Sequence, residues 1–277
     1  MPELPEVETT IRYLNKKVNG KTILSIKKSQ KKLRKNLNKK DFNTIKGKKI
    51  KEVKRFAKYI LIELSPLSFI VIHLGMSGRL KFYFKENYQR EKHDHIILEF
   101  EKFFIVYNDP RRFGMFFALQ NYNEIKYFFR NYGIDLLLDK INFSKIKEIF
   151  KKKSVSLKQV LLDQSIFVGL GNIYANEALF HSRLSPLRLT NSLNSKEILK
   201  LIKSCRYVLK LSLKNGGSSI NDYKSPDGTL GSFQNMFYVY QRSEVTLKKT
   251  IISCKKNNSK WSFNIFFAYF TKIKKCV

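Results

Sequence analysis

The first eight residues, Met-Pro-Glu-Leu-Pro-Glu-Val-Glu, hold the side chains most able to do covalent chemistry. A small residue behind the initiator methionine favours its removal, which would leave Pro2 as a free secondary amine. A terminal α-amine titrates at about 7.7–8, well below a lysine, so a useful fraction is unprotonated at neutral pH. Attack of such an amine on a carbonyl-like carbon gives an iminium, or Schiff base. Glu3 and Glu6 stand close enough in sequence to move the protons that this requires. A structural reading also accounts for these residues: Pro2 occupies the approach to a first helical turn, and Glu3, Glu6 and Glu8 complement its dipole. Taken alone, the eight residues favour that structural reading.

The elements that must position these groups follow from periodicity. Val7, Ile11, Leu14 and Val18 recur at helical spacing before Gly20, predicting a helix over 4–18. Short β-branched or aromatic runs at 23–26, 50–56, 59–64, 69–74, 80–84, 96–100, 103–107 and 115–118 predict an antiparallel sandwich or barrel. The lysine-rich stretch 27–40 reads as an exposed loop. From about residue 123 the pattern turns helical, at 124–130, 144–152, 157–163, 173–180 and 196–214. The expected fold is therefore α+β, with a domain boundary near 131–142.

Charge narrows the partner. Lys and Arg number 54 against 22 acids, a formal +32, which points to a polyanion, most simply nucleic acid. Part of the excess belongs to a composition rich in Lys, Asn, Ile, Phe and Tyr, as an AT-rich genome gives. A polybasic membrane-surface protein is the weaker alternative, because no long apolar run or amphipathic anchor is present. Acids stand where a signal peptide carries positive charge, and Cys205, Cys254 and Cys276 lack paired spacing. Both features predict a cytoplasmic, reduced protein.

Several internal motifs invite chemistry. Lys58, in Arg-Phe-Ala-Lys-Tyr, is either a surface lysine or one placed to meet a phosphate or a proton. His73-Leu-Gly-Met-Ser-Gly78 presents Met76 on a loop, although methionine is ordinarily core filler. Asp109-Pro-Arg-Arg-Phe-Gly114 offers Arg111 and Phe113 on a second tip, and the two tips have the character of wedges that enter a base stack. His93, Asp94 and His95 suggest a phosphate contact or a structural hydrogen bond rather than a metal, since no cysteine accompanies them. Gly169 and Gly171, just before a helix, would expose backbone amides to a phosphate, with Asn172 adding a side-chain donor.

Set in order, Pro-Glu-Leu-Pro-Glu-Val-Glu-Thr-Thr, Ala-Lys-Tyr at 57–59, His-Leu-Gly-Met-Ser-Gly at 73–78, Lys-His-Asp-His at 92–95, Asp-Pro-Arg-Arg-Phe-Gly at 109–114 and Gly-Leu-Gly-Asn-Ile-Tyr-Ala-Asn-Glu at 169–177 resemble bacterial formamidopyrimidine-DNA glycosylases. Gly216-Gly-Ser-Ser, Ser225-Pro-Asp-Gly through Phe233, and Val239-Tyr extend the likeness, which spans roughly residues 1–242.

The resemblance implies a catalytic β-sandwich domain at 1–134, a helix-two-turn-helix domain with a lesion loop at 135–233, and a finger hairpin at 234–277. It implies a bifunctional enzyme of base excision that removes 8-oxoguanine and formamidopyrimidines from duplex DNA and then nicks the abasic strand. By similarity, Pro2 attacks C1′, Glu3 is the general acid with Glu6 in support, and Lys58 is the proton donor of β-elimination. Met76, Arg111 and Phe113 fill the space left by the flipped base, which costs a few kcal/mol to extrude. His73, His93, Arg111, Lys152 and Asn172 contact DNA, and 216–233 closes over the everted lesion. Damaged double-stranded DNA is the implied partner of a monomeric enzyme with no membrane association.

The C-terminus departs from the resemblance. Where the family carries two Cys-x-x-Cys pairs, this chain has Leu247 and Thr250, then Lys272 and Lys275, so a tetrahedral zinc site lacks its thiolates and no cofactor is expected. Cys254 and Cys276 are off register. Phe263, Phe266, Phe267 and Phe270 around Trp261 could support a zincless hairpin by packing. Phe267 stands at the family's δ-elimination arginine. The rival readings are an endonuclease VIII-like glycosylase for oxidised pyrimidines and a non-catalytic basic DNA-binding relic.

Overall fold

The computed structural model describes residues 2–138, 140–219 and 223–241, together with the backbone of three C-terminal strands. Two compact units emerge, Met1–Asn131 with Ser212–Gln234, and Tyr132–Leu211 with Asn235–Val277.

The first unit opens with helix α1 (Leu4–Val18), whose apolar positions Leu4, Val7, Ile11, Leu14 and Val18 are buried along one stripe. Eight strands follow: β1 (Ser25–Lys28), β2 (Lys49–Phe56), β3 (Tyr59–Ser65), β4 (Ser68–His73), β5 (Arg79–Phe84), β6 (Asp94–Glu99), β7 (Phe103–Asn108) and β8 (Met115–Leu119). They form two antiparallel sheets, ordered β1-β6-β7-β5 and β2-β3-β4-β8. A single apolar core takes Val7, Ile11 and Leu14 from α1, Val53, Ile60 and Ile72 from one sheet, and Ile96, Ile105 and Tyr107 from the other. Period-two alternation in β2 becomes continuous burial in β3 and β4, as central strands covered on both faces require.

The stretch 27–40 is largely exposed, as expected of a loop, but it is anchored rather than free. Leu33 and Leu37 are buried in the core, and a short helix, α2 (Lys39–Ile45), begins at Asn38, whose side chain accepts the Asp41 N–H. The lysines around these leucines hid the anchors. Helix α3 (Tyr122–Phe128) closes this part of the unit.

The second unit holds α4 (Phe143–Lys152), α5 (Leu157–Leu162), α6 (Asn172–Ser182) and most of α7 (Ser195–Lys214). A minimal parallel pairing joins β9 (Ile134–Asp135) to β10 (Phe167–Val168). Helix α6 is buried on nearly every side, by Ile173, Tyr174, Ala175, Asn176, Glu177, Ala178 and Leu179. Its Glu177 carboxylate accepts the main-chain N–H groups of Tyr238, Val239 and Tyr240 at 2.9, 3.0 and 2.8 Å. At the C-terminus β11 (Glu244–Leu247), β12 (Thr250–Asn257) and β13 (Asn264–Phe267) form a three-stranded antiparallel sheet. Leu247 pairs with Thr250, and Phe267 with Cys254. Trp261, Phe263, Phe270, Lys272, Lys275 and Cys276 lie outside the described residues. Among the described residues no helix is long and apolar enough to cross a membrane.

Candidate active site

Pro2, Glu3 and Glu6 are all buried at the start of α1, with Glu3 and Glu6 only 2% and 1% exposed. The Glu3 N–H donates to Glu6 Oε2 at 2.8 Å, so the second carboxylate fixes the peptide unit that carries the first and its neighbour Pro2. The other oxygen, Oε1, accepts the Ser218 N–H at 2.7 Å and the Ser218 hydroxyl at 3.0 Å. Gly217 (φ +80°) approaches so closely that a Cβ there would stand 3.0 Å from Glu6 Oε1. The Tyr223 hydroxyl donates to the Glu6 carbonyl at 2.8 Å and lies 3.3 Å from Thr10 Oγ1. The segment 216–233 is therefore stitched to α1 at Ser218 and Tyr223. It is also stitched to edge strand β5, where the Phe82 N–H donates to the Pro226 carbonyl at 2.9 Å.

Lys58 comes to the same place from the β2–β3 hairpin, whose two-residue turn is Ala57-Lys58 because Phe56 pairs with Tyr59. It is 8% exposed, so the surface reading of this lysine is wrong. Burial pushes its ammonium down from the usual lysine range, and the charges of Glu3 and Glu6 partly oppose that. Ala57 takes φ +53°, a left-handed conformation that disfavours a Cβ. The turn is held by Arg55, whose Nη1 donates to the Ala57 carbonyl at 3.2 Å and whose Nε pairs with Glu8 on α1 at 2.9 Å.

The two loop tips are built around one carboxylate. Asp109 Oδ1 accepts the Ser77 hydroxyl at 2.6 Å and the Arg111 N–H at 3.2 Å. Its Oδ2 accepts the Gly114 N–H at 2.9 Å and the Tyr107 hydroxyl at 3.3 Å. A Cβ on Gly75 (φ +64°) would stand 2.7 Å from the Gly114 nitrogen. These bonds present Met76 and Phe113, 39% and 48% exposed, beside an exposed Arg111 whose guanidinium lies 5.0 Å from the Phe113 ring.

His73, at the end of β4, is partly buried, and its Nδ1 accepts the Gly75 N–H at 3.0 Å. Burial first, then the positive charges of Lys58 and Arg34, push its imidazole down to about 4. His95 is a structural group: Nε2 donates to the Asp109 carbonyl at 2.9 Å, and Nδ1 lies 3.0 Å from Ser29 Oγ. His93 is half-buried, and its carbonyl accepts the Asp109 N–H.

Pro2, Glu3, Glu6, Lys58, His73, His93, Met76, Arg111 and Phe113 thus share the first unit. Lys152 and Asn172 belong to the second. Lys152 lies on an exposed face of α4, paired with Glu148 at 2.6 Å. Asn172 is the first residue of α6, behind Gly171, which supplies no capping side chain. The sequence reading missed Lys158, a buried lysine on α5 held down to about 8 by desolvation. It also missed Arg55, whose signal could only have been its place beside Ala57-Lys58. Among the described residues no cluster of three His, Cys, Asp or Glu could hold a metal ion.

Comparison with known proteins gives a consistent picture. Residues 1–116 match the formamidopyrimidine-DNA glycosylase N-terminal domain, and 132–224 match the formamidopyrimidine-DNA glycosylase H2TH domain. The formamidopyrimidine-DNA glycosylase of Wolbachia pipientis subsp. Culex pipiens is 40% identical over 241 residues, covering 87% of this chain and 88% of the relative. That of Rickettsia felis is 35% identical over 261 residues, covering 92% and 94%. Among solved structures, the Lactococcus lactis enzyme in complex with Fapy-dG-containing DNA superposes with a TM-score of 0.87 at 29% identity, covering 96% of this chain and 98% of that one. The same enzyme with DNA containing an oxidised pyrimidine gives 0.87 at 29% identity and the same coverage. With both domains matched and relatives aligned over most of their length, the chain belongs to the formamidopyrimidine-DNA glycosylase family of DNA-repair enzymes.

Proposed function

We propose that the protein excises oxidised purines, 8-oxoguanine and formamidopyrimidines, from duplex DNA and then cleaves the strand as an AP lyase. The observation that carries this reading is the burial of Pro2, Glu3, Glu6 and Lys58 in one place, where an amine, two carboxylates and a lysine of lowered proton affinity are within electrostatic reach. Once the methionine is removed, the Pro2 nitrogen bonds to C1′ as the glycosidic bond breaks, and the proton that the Pro2 nitrogen sheds balances the one the departing base takes up. Glu3 protonates the sugar ring oxygen, the ring opens, and an iminium links Pro2 to C1′. That cation acidifies the C2′ proton, which passes to water, and the electron pair it leaves forms the C2′=C3′ double bond as the C3′–O bond to the 3′ phosphate breaks. Lys58, desolvated and ready to give up its proton, serves the elimination.

Glu6 keeps Pro2 and Glu3 in register through the Glu3 N–H, and ties 216–233 to the same carboxylate. Met76, Arg111 and Phe113 occupy the gap opened by base eversion, while His73, His93, Arg111, Lys152 and Asn172 hold the backbone. Leu247 and Thr250, paired across β11 and β12, offer no thiolate to a metal, so the hairpin is expected to hold no zinc. The domain limits 1–134, 135–233 and 234–277, a monomeric state and a cytoplasmic, nucleoid-associated location complete the reading.

Borohydride trapping on a duplex carrying 8-oxoguanine tests it. A covalent adduct is expected with the parent chain and none with Pro2→Gly; intact binding without any adduct would leave a non-catalytic DNA-binding protein. Excision of oxidised pyrimidines is the second reading, favoured by the complex of the Lactococcus lactis relative with DNA of that kind. Comparing 8-oxoguanine with thymine glycol as substrates separates the two.

A further inference from the structure

Asn172 and Asn176 begin successive turns of α6, four residues apart and so on one helix face. Asn172 Oδ1 is a buried acceptor without a donor, and Asn176 Nδ2 is a buried donor without an acceptor. Asn176 is 4% exposed, so water does not readily serve its amide. Helical side chains lean back toward the helix start, which brings Asn176 over the turn that Asn172 opens. Each unpartnered atom is thus of the kind that the other needs, an acceptor and a donor on one face of the helix.

We infer that Asn176 is a positioning residue for Asn172: its Nδ2 holds Asn172 Oδ1 inward and thereby turns the Asn172 NH2 group outward, toward a DNA phosphate. The inference rests on the reading of Asn172 as a phosphate contact. An amide has two faces of opposite character, and a phosphate accepts hydrogen bonds only. An unrestrained Asn172 presents its oxygen as readily as its nitrogen. With Oδ1 engaged by Asn176, the amide is restricted to the orientation that a phosphate can use. The bond closes when DNA fixes the donor side, so the pair contributes to binding rather than to folding.

The test is equilibrium binding to a duplex carrying a tetrahydrofuran abasic-site analogue, measured across a range of KCl concentrations. Asn176→Leu keeps the side-chain size and removes the donor; it is expected to raise Kd about five- to ten-fold, as loss of one phosphate hydrogen bond does. An asparagine carries no charge, so the line of log Kd against log[KCl] is displaced without changing slope, whereas a disturbed basic surface would tilt it. Asn172→Ala is expected to match Asn176→Leu, and the double variant to bind no worse than Asn172→Ala alone. Asn176→Ser, which keeps a donor, restores part of the affinity and guards against a folding defect. Parent-like binding by Asn176→Leu beside a weakened Asn172→Ala would overturn the inference, as would additive effects in the double variant. If Asn172→Ala itself binds like the parent, the phosphate reading of Asn172 fails and the inference falls with it.

Discussion

The Glu6 carboxylate accepts the Ser218 main-chain N–H at 2.7 Å, across 212 residues of sequence. The same carboxylate receives the Glu3 N–H, so one buried group fixes both the residue next to Pro2, the proposed nucleophile, and the segment 216–233. Glu6→Gln replaces an accepting oxygen with a donor that must face either Glu3 N–H or the Ser218 donors. Losing one charge-assisted bond in a buried site is worth roughly 1.5–3 kcal/mol, so single-turnover excision is expected to slow about 10- to 100-fold. Unchanged kinetics in a quench-flow assay would remove Glu6 from the machinery. Gly217→Ala should act in the same direction, because the new Cβ would crowd Glu6 Oε1 from a φ of +80°.

The turn that carries Lys58 depends on Arg55. Its guanidinium joins the Ala57 carbonyl to Glu8, and its side chain is 2% exposed. Removing it leaves Glu8 only its more exposed partner Arg12 and frees a strained turn, so Arg55→Leu should destabilise the chain by about 2–4 kcal/mol. Ala57→Gly relieves the left-handed strain and should stabilise by about 1 kcal/mol. Urea denaturation of the two variants checks both signs.

Protonation of His73 is set by its burial and by Lys58 and Arg34, which hold it down to about 4. An unfolded chain takes up this proton near pH 6.5, whereas the folded one resists until about pH 4. The contribution is therefore complete above pH 6.5 and is lost as pH falls through that window. His73→Asn should flatten the decline of stability between pH 6.5 and 4. Ring carbon shifts from NMR titration should show a neutral imidazole down to about pH 4, and a midpoint near 6.5 would contradict the assignment.

Met76 and Phe113 are expected to separate binding from folding. Both are substantially exposed, so Met76→Ala and Phe113→Ala should change stability by no more than about 0.5 kcal/mol. Their affinity for lesion-containing duplex should nevertheless fall. Asp109→Asn does the opposite, placing an NH2 group among four donors, and should destabilise by about 2–4 kcal/mol. Thermal melts beside binding isotherms distinguish the two patterns.

Much of this architecture was legible because period and position agreed. The apolar steps of α1 gave its limits, and the strand runs of the first unit fell within a few residues of their observed ends, since each is bounded by turn residues. What escaped depended on partners remote in sequence. Leu33 and Leu37 looked like incidental apolar residues among lysines, yet they enter the core. Lys58 looked exposed because nothing local announces Glu3 and Glu6, which come from a different element. The roles of Arg55, Ser218 and Tyr223 are written in tertiary hydrogen bonds, for which a single chain has no periodic signature. The complementary amides of Asn172 and Asn176 were hidden differently: their spacing was visible, but their burial was not.

The near contact of Gly75 with Gly114 means that the tips bearing Met76 and Phe113 are one mechanical part made from two distant stretches of chain. Grafting either stretch alone from a homologue would break the shared seat at Asp109, while grafting both together would preserve it. Divergence in this region should therefore proceed by paired replacement.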